Sequence, residues 1–183
     1  MGYGLIMKPL LAGLLGLFLG GCAATPRSVV IPAAKVDLPA YMGDWHVIAN
    51  IPYFAEKNCY NSVETYRLTP EGKVDTVFRA RKGGFEGKLL EAGNVATVTD
   101  PGTNARWTAS FFGGLVKVKL VILAVAHDDR YAVVATPDAK LAWIFSRSST
   151  LSAEDYAAAV AVLKRSGVDV SKLAMVPQDG RKP

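Results

Sequence analysis

Two thiols and two imidazoles, Cys22, Cys59, His46 and His127, are the side chains of this chain best suited to nucleophilic, proton-transfer or soft-metal chemistry. Their spacing serves none of the three. A nucleophilic thiol needs a depressed pKa and a nearby base, and the histidine nearest Cys59 in sequence, His46, belongs to a different segment. Cys-x-x-Cys, His-Glu-x-x-His, Gly-x-Ser-x-Gly and a glycine-rich phosphate loop are all missing, so the usual metal, hydrolase and nucleotide signatures are lacking. No cofactor is called for. Cys59 reads as a small apolar filler.

Cys22 differs because of what precedes it. Residues 1–21 carry one charge, Lys8, then an apolar run from Pro9 to Phe18, then Leu19-Gly20-Gly21. A short basic lead, an apolar stretch and small residues before a cut site read as a secretory signal. Leu-Gly-Gly-Cys resembles the bacterial lipobox, after which the cysteine sulfur is diacylglycerol-modified and becomes the mature N-terminus. The resemblance implies lipidation at Cys22 and attachment to a membrane through lipid. Ala23, rather than aspartate, follows the cysteine, which by the lipoprotein pattern favours the outer membrane. The competing reading is a spanning anchor with an incidental cysteine, but the apolar run is shorter than the roughly 18 residues a spanning helix needs. Once Cys22 carries lipid, Cys59 has no disulfide partner in the chain; without it, the two would suggest one bridge.

The elements that must position any site begin after a proline-containing stretch. Residues 22–40 read as a tether, 41–178 as one domain and 179–183 as a tail. Of the chain's formal charge of +5, the leader contributes only Lys8. The rest is spread along the sequence, so nothing points to nucleic acid. Short β-rich segments at 45–51, 62–68, 74–81, 94–99, 105–112, 116–126, 131–135 and 141–146 are separated mostly by hairpin-length turns such as Thr69–Lys73 and Asp100–Asn104. Eight consecutive hairpin-linked strands predict an all-β, eight-stranded antiparallel up-and-down barrel. One helix follows. Ser152 caps it, Glu154 and Asp155 stand at its start, Tyr156, Val160 and Leu163 form one stripe, and Gly167 ends it. A single stripe implies packing on the outside of the barrel.

The segment Tyr41-Met42-Gly43-Asp44-Trp45-His46-Val47-Ile48-Ala49 resembles the Gly-x-Trp signature of the lipocalins. Tyr131-Ala132-Val133-Val134 after Asp128-Asp129 resembles the second lipocalin block, and Trp143-Ile144-Phe145-Ser146-Arg147 the third. Phe111-Phe112 and Gly167-Val168-Asp169-Val170-Ser171 look like the bacterial outer-membrane members. The resemblance covers about residues 36–178. It implies that Gly43, Trp45 and Arg147 close one barrel end, and that the protein binds, carries or stores a lysophospholipid or fatty acid in the cell envelope. His46, the short Phe112-Gly113-Gly114-Leu115 turn and Asp128-Asp129-Arg130 depart from the family pattern.

If Trp45 faces inward, alternation places Val47 and Ala49 inward too. Tyr66 and Leu68, Thr76 and Phe78, Ala132 and Val134, and Leu141, Trp143 and Phe145 are the other expected lining residues. Glu64 shares the parity near the open end, where it is expected to meet water. Burying about ten methylenes of a guest would contribute roughly 8 kcal/mol before association costs, so an acyl chain needs no charge clamp. Two other classes stay open. One is an anchored interaction protein whose barrel is filled by its own side chains. The other is a lipocalin-type enzyme using Cys59. The sequence leaves pairing of two barrels into a homodimer undecided.

Overall fold

The computed structural model describes residues 32–183 apart from Ala34, so the leader and Cys22 lie outside the described residues. Eight strands follow one another antiparallel: β1 (Gly43–Asn50), β2 (Cys59–Leu68), β3 (Val74–Lys82), β4 (Lys88–Val98), β5 (Arg106–Phe111), β6 (Val116–Val125), β7 (Tyr131–Ala135) and β8 (Ala142–Ser146). Each pairs with the next, and β8 returns to β1, which also pairs with β2. The sheet is therefore a closed barrel. β4 runs from Lys88, well before the expected start at residue 94. Adjacent Leu89 and Leu90 hide its alternation, yet Leu90 packs on the interior while Leu89 is exposed.

The tether expected over 22–40 ends earlier. Ala33 N–H donates to Ile122 O and Val36 N–H to Thr103 O. A one-turn helix α1 (Leu38–Tyr41) follows, N-capped by Asp37. Val36 and Tyr41 are buried and Leu38 packs beside them, so apolar side chains on both sides of the cap draw this segment into the barrel end.

β1 and β2 pair directly only from Gly43 to His46. Toward the other end both strands bulge, β1 between Val47 and Ala49 and β2 between Tyr60 and Val63, and the ladder parts. The C-terminus fills the gap. A short strand β9 (Ala174–Met175) pairs with Ala49 and Asn50, and the Gln178 amide Nε2 donates to Val47 O at 2.9 Å and Ser62 O at 3.1 Å. Asn61 and Asp179 exchange two more bonds of 2.7 and 2.9 Å. The residues expected as a tail, 179–183, thus begin with Asp179 fastened to Asn61 of β2.

Helix α2 (Ala153–Arg165) packs outside on β6, β7 and β8. The Ser152 hydroxyl accepts from Asp155 N–H. The helix ends with Val168 N–H on Leu163 O and Gly167 N–H on Lys164 O, Gly167 holding φ +79°; this is a Schellman closure. Its buried centre is Ala159 with Leu163, and Tyr156 and Val160 flank them. Two apolar cores result, one inside the barrel and one between barrel and helix.

Candidate functional site in the barrel interior

The end bounded by α1 is a solid floor. The Arg147 guanidinium lies 3.6 Å from the centroid of the Trp45 ring and donates to Asp44 O at 2.9 Å and Ala40 O at 2.6 Å. Trp45 Nε1 donates to Tyr41 O at 2.8 Å. Gly43 has φ +100°, and a Cβ there would sit 3.4 Å from Arg147 Nη1, so glycine suits both the turn and the arginine. Above this plug Tyr41 meets Trp45, Tyr66 and Trp107 with centroids 5.0 to 5.5 Å apart. Tyr66 therefore belongs to the floor.

The opposite half is walled by Val47, Phe78, Ala80, Ala109, Val134, Trp143 and Phe145, all buried in the interior core. Ala132 sits between Val125 and Phe145 across the ladder, and Leu141 lies at the edge of the same core. Thr76 is buried opposite Tyr66 and Asn94. Two expected lining residues are elsewhere. The β1 bulge sets both Ile48 and Ala49 against one position of β8, which turns Ala49 outward under α2 and makes Asn50, opposite Trp143, the next inward residue. Leu68 is 44% exposed at the floor end of β2, where the strand outruns the wall.

Two carboxyls occupy this interior. Glu56, from the loop between β1 and β2, turns back into the barrel and is 7% exposed. Its Oε2 accepts from Asn50 Nδ2 and its Oε1 from Trp143 Nε1, each at 3.0 Å. Glu64 is not at the open end: it stands between Trp45 and Phe78 across the ladders. Its Oε2 is buried without a donor. Burial pushes Glu64 up to about 8, with Glu56 adding to the shift. Burial likewise raises Glu56 to about 7, against the lowering effect of its hydrogen bonds from Trp143, Tyr53 and Asn50. Sequence reasoning passed over Glu56, whose loop has no period, and the only sign available was an acid beside an aromatic pair.

Cys59 is buried, and burial raises its thiol above the ordinary value, which opposes thiolate formation. Its Sγ lies 3.6 Å from Ala55 O. His46 faces the outer surface beside Asp44, Val63 and Arg79, in a cleft of about 290 Å³ beneath Lys182 and Pro183. A second cleft, of about 680 Å³, opens where β4 leaves β5; its lining joins outward Val77 and Val95 to inward Thr76 and Asn94. Around the open end, Phe54, Phe112 and Leu115 are 82%, 79% and 87% exposed. Among the described residues, no group of three potential ligands is placed to hold a metal, and no helix is long and apolar enough to cross a membrane.

The model of the lipocalin-like domain matches residues 36–178. The sequence is similar to outer membrane lipoprotein Blc of Escherichia coli strain K12, at 32% identity over 95% of this chain and 98% of that protein. It is similar to the protein of the same name from Citrobacter freundii at 30% identity, over 94% and 97% of the two chains. Among solved structures, insecticyanin of the tobacco hornworm Manduca sexta superposes with a TM-score of 0.64 at 23% identity, over 80% of this chain and 83% of that one. Lobster apocrustacyanin A1 does so with a TM-score of 0.60 at 18% identity, over 85% and 93%.

Proposed function

Because this chain belongs to the lipocalin family, we propose that it is a lipid-anchored envelope protein that holds one hydrophobic small molecule in the open half of its barrel. The observation that carries the reading is the division of the interior. An aromatic plug fills one half, while the other is walled by Val47, Phe78, Ala80, Ala109, Val134, Trp143 and Phe145. A mostly apolar wall with a few polar groups suits a lipid. The exposed ring of Phe54, Phe112 and Leu115 favours loading from a lipid surface. A lysophospholipid or fatty acid is the proposed cargo, and carriage or storage the proposed role.

Cys22, the Ala23 that follows it, and the relatives named outer membrane lipoprotein support an outer-membrane location, with the periplasmic face as our assignment. The buried, raised thiol of Cys59 argues for a binding protein over an enzyme. Native mass spectrometry of delipidated protein against lysophospholipids and fatty acids tests the reading. Saturable one-to-one complexes, weakened by Trp143→Ala, are expected; an absence of complexes across the panel would refute it. Turnover of a bound lipid abolished by Cys59→Ser would replace binding with catalysis.

A further inference from the structure

The barrel interior keeps two carboxyls where an apolar lining would be less costly. Burying an acid is unfavourable unless a partner compensates it. Glu56 has neutral side-chain donors in Asn50 and Trp143, while Glu64 leaves Oε2 with none. Asn94 on β4, opposite inward Thr76, also has a buried Oδ1 without a donor. Among the described residues no cation pairs with either acid. Lys82, at the far end of β3, is turned onto Ala55 O and Lys57 O, and Arg147 is held on the Trp45 ring, Asp44 O and Ala40 O. The titratable neighbours Tyr41, Tyr53, Tyr66 and Cys59 are all neutral at pH 7, each raised mainly by burial. The Glu64 and Asn94 oxygens are thus left without a partner.

Aromatic residues stand beside both acids. Glu64 lies between Trp45 and Phe78 across the sheet, and Glu56 is fastened to the Trp143 indole. Carboxylates among buried apolar side chains attract an ammonium by charge. A carboxylate or phosphate at the same depth would meet like charge from whichever acid is ionised and find no cation paired there.

Building on the carrier reading, we propose that the barrel takes a single-chain amphiphile head first, with a cationic nitrogen received between Glu64 and Glu56 and the alkyl chain running out toward the apolar rim. A fatty-acid anion then binds only with its head outward. Because Glu64, at about 8, and in part Glu56, at about 7, hold protons at pH 7, arrival of a fixed cation between them displaces a proton to solvent.

The test is calorimetric titration of the full mature protein at pH 7 with four C12 probes below their micelle concentrations: dodecyltrimethylammonium, dodecylphosphocholine, dodecanol and dodecanoate. The ammonium is expected to bind at least about tenfold tighter than the alcohol, with dodecanoate weakest. Repeating the titration in buffers of different ionisation heat should report a proton released with the ammonium and none with the alcohol. Glu64→Gln and Glu56→Gln, each checked for an intact fold by circular dichroism, should bring the ammonium-to-alcohol ratio toward one. Equal binding of alcohol and ammonium, or a preference that survives both substitutions, overturns the proposal and leaves lipid carriage standing. Tight dodecylphosphocholine binding that is indifferent to Glu64→Gln also overturns it, since the phosphate then carries recognition. If none of the four probes binds, the carrier reading itself fails.

Discussion

Replacing Arg147 by alanine removes three contacts at once from the closed end of the barrel. The guanidinium sits 3.6 Å from the Trp45 centroid, a cation–π contact worth roughly 0.5–2 kcal/mol. Its two donations, at 2.9 Å to Asp44 O and 2.6 Å to Ala40 O, are charge-assisted and worth about 1.5–3 kcal/mol each when fully buried. Arg147 is only partly buried, so solvent lowers all three contributions; a total loss of about 3 kcal/mol is expected. For a domain of this size that corresponds to a fall in Tm of roughly 10 °C. Urea unfolding of the chain without leader and lipid, followed by tryptophan fluorescence, measures it, with the m-value unchanged. Arg147→Lys separates charge from shape: an ammonium keeps the positive charge but lacks the planar fork that spans both carbonyls. Lysine should recover less than half of the loss. A loss below about 1 kcal/mol for alanine, or full recovery by lysine, would refute the argument that this arginine joins α1 to the barrel through its shape.

The C-terminal strap offers a second check. Gln178→Leu removes both donations to Val47 O and Ser62 O and should cost about 2 kcal/mol, with faster amide exchange at the β1 and β2 bulges; unchanged exchange there would show that the strap does not seal the wall. Stability should also fall with rising pH. Glu56 and Glu64 stand at about 7 and about 8 against an ordinary 4.5, so between those values the folded state binds more protons than the unfolded chain. Their contribution is fully present below pH 4.5 and lost as pH rises through 7 to 8, on the order of a few kcal/mol. Urea midpoints at pH 5 and pH 8.5 test the sign, and a higher midpoint at pH 8.5 would contradict it. Asp179, held down to about 2 by Arg181 and Asn61, acts oppositely but only at more acid pH.

The barrel and its helix were legible because each rests on local pattern. Alternation with turn residues marks most strands, and the Ser152 cap, acidic first turn and Gly167 mark the helix. The expected lining was legible only as far as alternation holds. One extra residue in β1 sends Ala49 to the helix face and brings Asn50 inward, and nothing in Val47-Ile48-Ala49 announces the bulge, since all three are apolar. Leu68 keeps the right parity but runs past the end of the wall.

Sequence by itself determined the number and direction of the eight barrel strands, the cap-to-cap extent of α2, and the tryptophan and arginine that meet at the closed end. These follow from side-chain period, turn chemistry and a recognisable order of motifs. Tertiary structure alone decided that Glu56 folds back into the barrel, that Glu64 carries a buried oxygen without a donor, and that Gln178 and Asp179 stitch the parted strands. Each of those depends on partners far along the chain, Trp143 for Glu56 and Asn61 for Asp179. The free energy of an acid or an amide is set by what surrounds it after closure, and neighbours in sequence do not supply that environment.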